Sequence, residues 1–385
     1  MRVAMLGLYP PDPQHILGGV EAVTYLLGQY LPQFPNMDLH VATFRPNLTR
    51  PIQEEREGLT LYLYPTPRWT RSTWHREGRR VLRHLLDRLA PDVVHAHGST
   101  VYTAAAVRAP YPHVVTVHGI MAREAPTVWG WRRRVARELD RWFERWALRQ
   151  AREIIAISPY IRDAYPWLRA RLHFIENPVD PRYFDIPLGT EQAGRVLTVA
   201  RVIPRKGILP LIRAFARVAG DFPSAELHIA GEMVSFPEYA AACQDEVRKH
   251  GLTQRIHFLG PLDTPGLMRA YAEAQVTVLA SLQETAPIVI GESLAAARPV
   301  IATEVGGVPY MVTRGKTGWL VPVGDERALA NALADALDHP EQCRTMGRQA
   351  REEARHRFHP QSIAEKHMAV YELIVATHQN REDRP

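Results

Sequence analysis

The residues best suited to chemistry lie in Gln283-Glu284-Thr285-Ala286-Pro287-Ile288-Val289-Ile290-Gly291-Glu292, where two carboxylates stand eight positions apart. Thr285 suits a helix N-cap and Pro287 a first helical turn, so a helix is predicted to start here. Glu284 then falls in the loop before the helix and Glu292 on it, with the first-turn N–H groups facing any phosphate nearby. The plain alternative is a surface acid followed by an acid that complements the helix dipole. A second group is Val199-Ala200-Arg201 with Pro204-Arg205-Lys206-Gly207. Arg201 offers a planar fork and Lys206 a mobile point charge, both fit for phosphate and both ordinary in a solvated loop. A third is Gly18-Gly19, where two glycines at a helix entry let a ligand approach the backbone or simply form a turn. It matches neither G-x-G-x-x-G nor the P-loop pattern.

Other constellations point away from competing chemistries. Cys243 and Cys343 are the only cysteines, which excludes a disulfide framework and a cysteine zinc site. No G-x-S-x-G elbow and no Asp-x-Asp motif occurs. His95 and His97 in Val93-Val94-His95-Ala96-His97-Gly98 read as hydrogen-bonded strand-end histidines rather than a metal pair, because no acidic or cysteine partner stands at a recognised spacing. In the stretch 129–152, Val135, Leu139, Trp142, Phe143 and Trp146 recur at helical spacing, while Arg133, Arg137, Arg141, Arg145 and Arg149 line another face. That pattern fits a core-packed helix with a solvated basic face, or a surface helix that meets anionic lipid.

These residues need a scaffold, and the rest of the chain describes one. Short apolar runs alternate with amphipathic stretches: Val3–Leu8, Leu39–Phe44, Val93–His95, Val114–His118 and Ile154–Ile157 read as strands, with a helix over 19–31. After a proline-bearing stretch at Glu176–Pro181 the rhythm restarts with Val196–Ala200, Glu226–Ala230, Ile256–Leu259, Val276–Leu279, Pro299–Ala302 and Gly318–Val321. This βαβ alternation predicts an α/β chain of two doubly wound parallel-sheet halves, joined by a linker and facing across a cleft. The 385 residues suffice for two such domains, and 47 basic against 41 acidic side chains leave a net charge of +6, mostly arginine. The charge permits an acidic partner without choosing one. No recognised nucleic-acid module is visible, so no nucleic-acid partner is expected. The apolar run at the N-terminus is too short for a signal-peptide core, and the expectation is a cytoplasmic protein.

Taken in order, Glu284 and Glu292, the Ala-rich stretch Ala295-Ala296-Ala297, Arg298-Pro299-Val300 and Gly306-Gly307 resemble the retaining family 4 glycosyltransferases, also called glycosyl transferases group 1. The resemblance covers most of the chain and implies the GT-B fold. It implies a Rossmann-like acceptor-side domain over 1–178, a Rossmann-like donor domain over 179–358, and a helix over 359–385 returning toward the first. By the same resemblance Glu284 contacts the donor sugar hydroxyls and Glu292 the nucleotide ribose. Arg201 and Lys206 neutralise the leaving diphosphate, assisted by the N–H groups of Ile288 and Val289 and by Gly18-Gly19, and His118 stands beside the donor sugar. The implied reaction moves a sugar from a nucleotide-diphosphate sugar, a UDP-sugar first and GDP-mannose second, to a hydroxyl on a glycan, glycolipid or small metabolite. It requires no metal and no cofactor. Ala286-Pro287 replaces the family's Phe-Gly and removes a backbone donor near the sugar, which leaves donor identity open. The alternative is a nucleotide-sugar epimerase or hydrolase on the same fold.

Overall fold

The computed structural model describes residues 1–12, 16, 18–67, 75–98, 101–120 and 131–382, without the side chains of residues 131–134, 136, 137 and 380–382. Residues 121–130, after His118, and residues 13–15 and 17 therefore lie outside the described residues. The chain divides into two compact units, one formed by 1–178 with 360–385 and the other by 179–359.

The first unit begins with β1 (Arg2–Leu6), α1 (Gly19–Tyr30), β2 (Asp38–Arg45), β3 (Ile52–Arg56) and β4 (Leu59–Pro65). It continues through α2 (Arg76–Leu89), β5 (Val93–His97), α3 (Val101–Ala106), β6 (His113–Val117), α4 (Trp131–Gln150), β7 (Glu153–Ala156), α5 (Tyr160–Ala164) and β8 (Arg171–Phe174). The eight strands run in the order β3-β4-β2-β1-β5-β6-β7-β8, parallel throughout except for the β3–β4 hairpin. Central strands are buried on both faces, which is why Val3–Leu6 reads as a continuous apolar run rather than an alternating one, and Val93–Ala96 as a run broken only by His95.

The second unit holds β9 (Arg195–Val199), α6 (Ile208–Val218), β10 (Glu226–Ala230), α7 (Pro237–Lys249), β11 (Ile256–Gly260) and α8 (Thr264–Glu273). Then follow β12 (Val276–Leu279), α9 (Ile288–Ala295), β13 (Val300–Thr303), β14 (Gly318–Val321), α10 (Glu326–Asp338) and α11 (Pro340–Phe358). Its six strands are all parallel, in the order β11-β10-β9-β12-β13-β14. Leu211, Ile212 and Phe215 of α6 anchor the core on one face, and Ile290 and Leu294 of α9 the core on the other. Finally α12 (Pro360–Glu382) packs in the first unit, where Ile363, Tyr371 and Ile374 join Val3, Met5 and Val23.

Helix α4 falls between the core-packed and surface readings of its stripe. Phe143 is buried, whereas Val135, Leu139 and Trp142 are about half exposed at 54%, 50% and 57%. Its basic face is also partly engaged: the Arg145 and Arg149 guanidinium groups lie 5.3 and 5.6 Å from the Trp167 ring centre. Among the described residues, no helix is long and apolar enough to cross a membrane.

Candidate functional site

In each sheet the strand order reverses about a central pair, β1 and β5 in the first unit, β9 and β12 in the second. Loops leaving the carboxyl ends of such a pair diverge and open a crevice, the usual ligand position of open α/β sheets. In the second unit those loops carry Arg201 to Lys206 after β9 and Ser281 to Pro287 after β12.

The two loops are locked together. Gly207 takes a positive φ of 64°, and a Cβ there would stand 2.0 Å from the Ala280 carbonyl oxygen, so only glycine permits this approach. The Leu282 N–H donates to the Arg205 carbonyl at 2.8 Å. Lys206, at the end of the 3₁₀ turn Pro204–Lys206, thereby reaches Glu284, with Nζ 2.5 Å from Oε1. Arg205 adds a second cation, its Nη1 3.9 Å from Glu284 Oε2 and hydrogen-bonded to the Gln283 carbonyl at 3.1 Å. Glu284 is only 6% exposed, so its charge depends on these partners. Arg201 is exposed at the head of the same loop.

Helix α9 begins at Ile288 with Pro287, not Thr285, at its N-cap, and the cap makes no side-chain hydrogen bond. Thr285 is buried in the loop instead. The residue before a proline-led step is pushed out of the helical region, and Pro287 itself sits at φ −68°, ψ 120°, so the first turn waits until Ile288. The expected placement of Glu284 and Glu292 survives this shift. Ile288 and Val289 supply the first N–H groups of α9, which lack intrahelical acceptors. Glu292 is partly buried one turn on, where Tyr271 donates its hydroxyl to Oε2 at 2.9 Å. Burial pushes the Glu292 carboxyl up to about 7, against the Tyr271 hydrogen bond and with help from Asp180. A raised acid favours the fold when protonated, so this contribution is full below the ordinary carboxyl value and fades as pH rises through 7.

In the first unit, Gly18 caps α1 with extended backbone and no side-chain bond, and Gly19 is the first helical residue. Nothing in the chain lies within 4 Å of a Cβ built on Gly18. His118 directly follows β6, and its Nε2 is 2.9 Å from His97 Nδ1. Behind it, His95 is bonded to Tyr371 Oη and Thr116 Oγ1, both at 2.7 Å, which agrees with hydrogen-bonded strand-end histidines. Burial, reinforced by neighbouring histidines, lowers His95 and His97 far below their ordinary value and His118 to about 3. All three are neutral at pH 7, so His118 acts as a hydrogen-bonding group and not as a cation.

Residues 17–183 match the profile described as Glycosyltransferase Family 4, and residues 183–353 match Glycosyl transferases group 1. A glycogen synthase of Mycobacterium tuberculosis is 30% identical over 330 residues, covering 82% of this chain and 78% of the relative. The chain belongs to the family 4 glycosyltransferases. The fold is GT-B: sucrose-phosphate synthase from Thermosynechococcus elongatus superposes with a TM-score of 0.80 at 22% identity, covering 98% of this chain and 99% of that one. Anabaena HepE in complex with UDP-glucose superposes with a TM-score of 0.70 at 20% identity, covering 99% and 100%. These relatives are named for sugar transfer or synthesis, so the epimerase and hydrolase alternative is not favoured.

For this glycosyltransferase the sequence pointed to Arg201, Lys206, Glu284, Glu292, Ile288 and Val289, and the second unit carries all six on the crevice loops or on α9. Gly18, Gly19 and His118 belong to the first unit. Arg205 and Tyr271 were missed. Nothing marks either locally, because their contacts to Glu284 and Glu292 span 79 and 21 positions and exist only through the β9–β12 adjacency and the packing of α8 on α9.

Proposed function

We propose that this glycosyltransferase takes a sugar from a UDP-sugar with retention of anomeric configuration and passes it to a hydroxyl acceptor. The observation that carries the reading is the Lys206–Glu284 pair, backed by Arg205, at the strand switch of the second unit. Departure of a nucleoside diphosphate builds negative charge, and fixed cations with helix N–H groups stabilise it preferentially in the transition state. Lys206 and Arg201 serve that charge, with Ile288, Val289 and Gly19 supplying N–H groups. Glu284 accepts from sugar hydroxyls and Glu292 from ribose hydroxyls, while His118 donates or accepts at the sugar as a neutral imidazole. Front-face departure on the diphosphate side needs no protein nucleophile. The cations take the place of a metal, so no metal or cofactor is required. UDP is favoured over GDP by the UDP-glucose complex of HepE, and a glycan acceptor by the glycogen synthase relative. Proton NMR of the product from UDP-glucose and an oligosaccharide acceptor tests this. An axial anomeric proton coupling pattern inverted relative to the donor, or donor turnover indifferent to acceptor, overturns it.

Glu292 gives the site a pH dependence. Accepting ribose O–H groups favours the carboxylate, so UDP affinity rises with pH through about 7 and falls below it. The limiting decline is about tenfold per pH unit for one linked proton. Calorimetric titration with a UDP-sugar, whose diphosphate has no proton to lose in this range, between pH 5.5 and 8.5 should show this slope in the wild type and a flatter profile in Glu292→Gln.

The exposed strip of α4 supports a second, separate role at an anionic lipid surface. Val135, Leu139 and Trp142 stand at i, i+4 and i+7 beside a basic face, the arrangement of an interfacial helix. The chain should sediment with phosphatidylglycerol vesicles at low salt and detach at high salt. Trp142→Glu should stay in the supernatant, and equal sedimentation of both chains would end this reading.

A further inference from the structure

Independently of the transferase site, we propose that Glu226, His228 and His257 form a site for a divalent transition cation of the zinc class on the second unit. The backbone supplies the geometry. Glu226 and His228 are two positions apart on β10 and share a face of the sheet. His257 on β11 is the direct register partner of His228. Both imidazoles converge on one carboxylate oxygen: His228 Nε2 lies 3.1 Å and His257 Nε2 4.0 Å from Glu226 Oε2. All three ligand atoms fall within 4.8 Å of one another. Tetrahedral zinc with bonds of about 2.0–2.1 Å holds its ligand atoms about 3.4 Å apart, so the observed separations straddle the required one. The rings stand 5.0 Å apart and nearly perpendicular, which lets two nitrogens address one point without stacking.

The chemistry of the set agrees with the geometry. Two imidazoles and a carboxylate suit zinc and its neighbours better than the oxygen-seeking calcium or magnesium. The side chains of Glu226 and His257 are each 37% exposed, so the site is reachable and water can complete the coordination. One cation faces the cluster: Arg195 Nη2 is 3.2 Å from the same Glu226 oxygen. Its Nη1 also holds Glu273 at 2.8 Å, so Arg195 keeps a partner when the metal takes Glu226.

Glu226 opens β10 and His257 is the second residue of β11, so the ligands gather toward the amino ends of the strands, whereas Lys206 and Glu284 lie beyond carboxyl ends. The bound ion is therefore a clamp and not a catalyst. Since β11 is the edge strand of its sheet, the metal ties that edge to β10.

The test is titration of the full, tag-free chain with zinc sulfate at pH 7.5, read by calorimetry against a competing chromophoric chelator. One equivalent should bind, raise the melting temperature, and weaken by about tenfold or more in His228→Ala and in His257→Ala. His339→Ala, on an exposed histidine outside the cluster, should titrate as the wild type. Cobalt(II) in the wild-type chain reads the ligands without any variant, and an intense four-coordinate visible spectrum is expected. Absence of zinc binding, identical titration of all variants, or a weak octahedral cobalt spectrum would overturn the site.

Discussion

Lys206→Ala is expected to lower kcat of sugar transfer by about 10²–10³-fold, the usual loss when one preorganised group facing transition-state charge is removed. On the proposed reading the ammonium meets the diphosphate charge, and its position is set by the 3₁₀ turn, which Gly207 seats against Ala280. Its side chain is 15% exposed, so the surroundings screen its charge less than water would. Removing it also leaves the 6% exposed Glu284 carboxylate, among the described residues, with the Arg205 guanidinium at 3.9 Å as its cation. Two effects therefore mix, and a double-mutant cycle separates them. Glu284→Gln alone should reduce kcat through lost sugar contacts. Lys206→Ala with Glu284→Gln should fall short of the product of the single losses, because the unpaired buried carboxylate is gone. Initial rates at saturating donor measure each step. Near-wild-type kcat in Lys206→Ala would remove the lysine from the chemistry.

The second large effect is on stability. Arg298→Ala should destabilise the second unit by about 3–5 kcal/mol, the range for breaking a buried charge pair from one side. The guanidinium is 3% exposed, and its fork is almost fully used. Nη1 meets Glu191 Oε2 at 2.7 Å, Nε donates to the Tyr271 carbonyl at 2.8 Å, and Nη2 donates to Ala272 O at 2.8 Å and Thr190 Oγ1 at 3.0 Å. It thereby ties the entry to β13 to the end of α8 and to the segment before β9. Arg298→Lys should recover little, since one ammonium cannot address four acceptors spread around a plane. Burial alone would raise Glu191, but hydrogen bonds from Arg344 and Arg298 outweigh it and hold the carboxyl below its ordinary value. That contribution is present above the ordinary carboxyl range and is lost as pH falls through the lowered value. Urea denaturation at pH 7 and pH 4 measures both; a loss under 1 kcal/mol at pH 7 would contradict the clamp.

Arg298 also illustrates what a sequence can show. Arg298-Pro299-Val300 helped identify the family, yet nothing in the chain order revealed a buried clamp, because its partners lie 26 to 108 positions away. The six strands of the second unit were all legible: β12 and β13 are buried throughout and largely apolar, and β9, β10, β11 and β14 each keep a short apolar stretch between turn signals. In the first unit β3, β4 and β8 were not. Ile52-Gln53-Glu54-Glu55-Arg56 is a polar edge strand that pairs only with β4, and its pattern is that of a loop. Glu284 and Glu292 were placed correctly on loop and helix although the cap was misassigned, because their spacing from Pro287 decides that much. The Lys206–Glu284 contact was beyond reach: it spans 78 positions and depends on β9 and β12 being neighbours.

The most direct test of the nucleotide-sugar reading is thermal denaturation of the purified chain with UDP, GDP, ADP and their sugar conjugates, without added metal. A ligand at a hundredfold its dissociation constant adds about 2.7 kcal/mol, enough for a clear shift. The account predicts selective stabilisation by UDP or a UDP-sugar, lost in Lys206→Ala and in Glu292→Ala. A melting temperature unmoved by every nucleotide would contradict it.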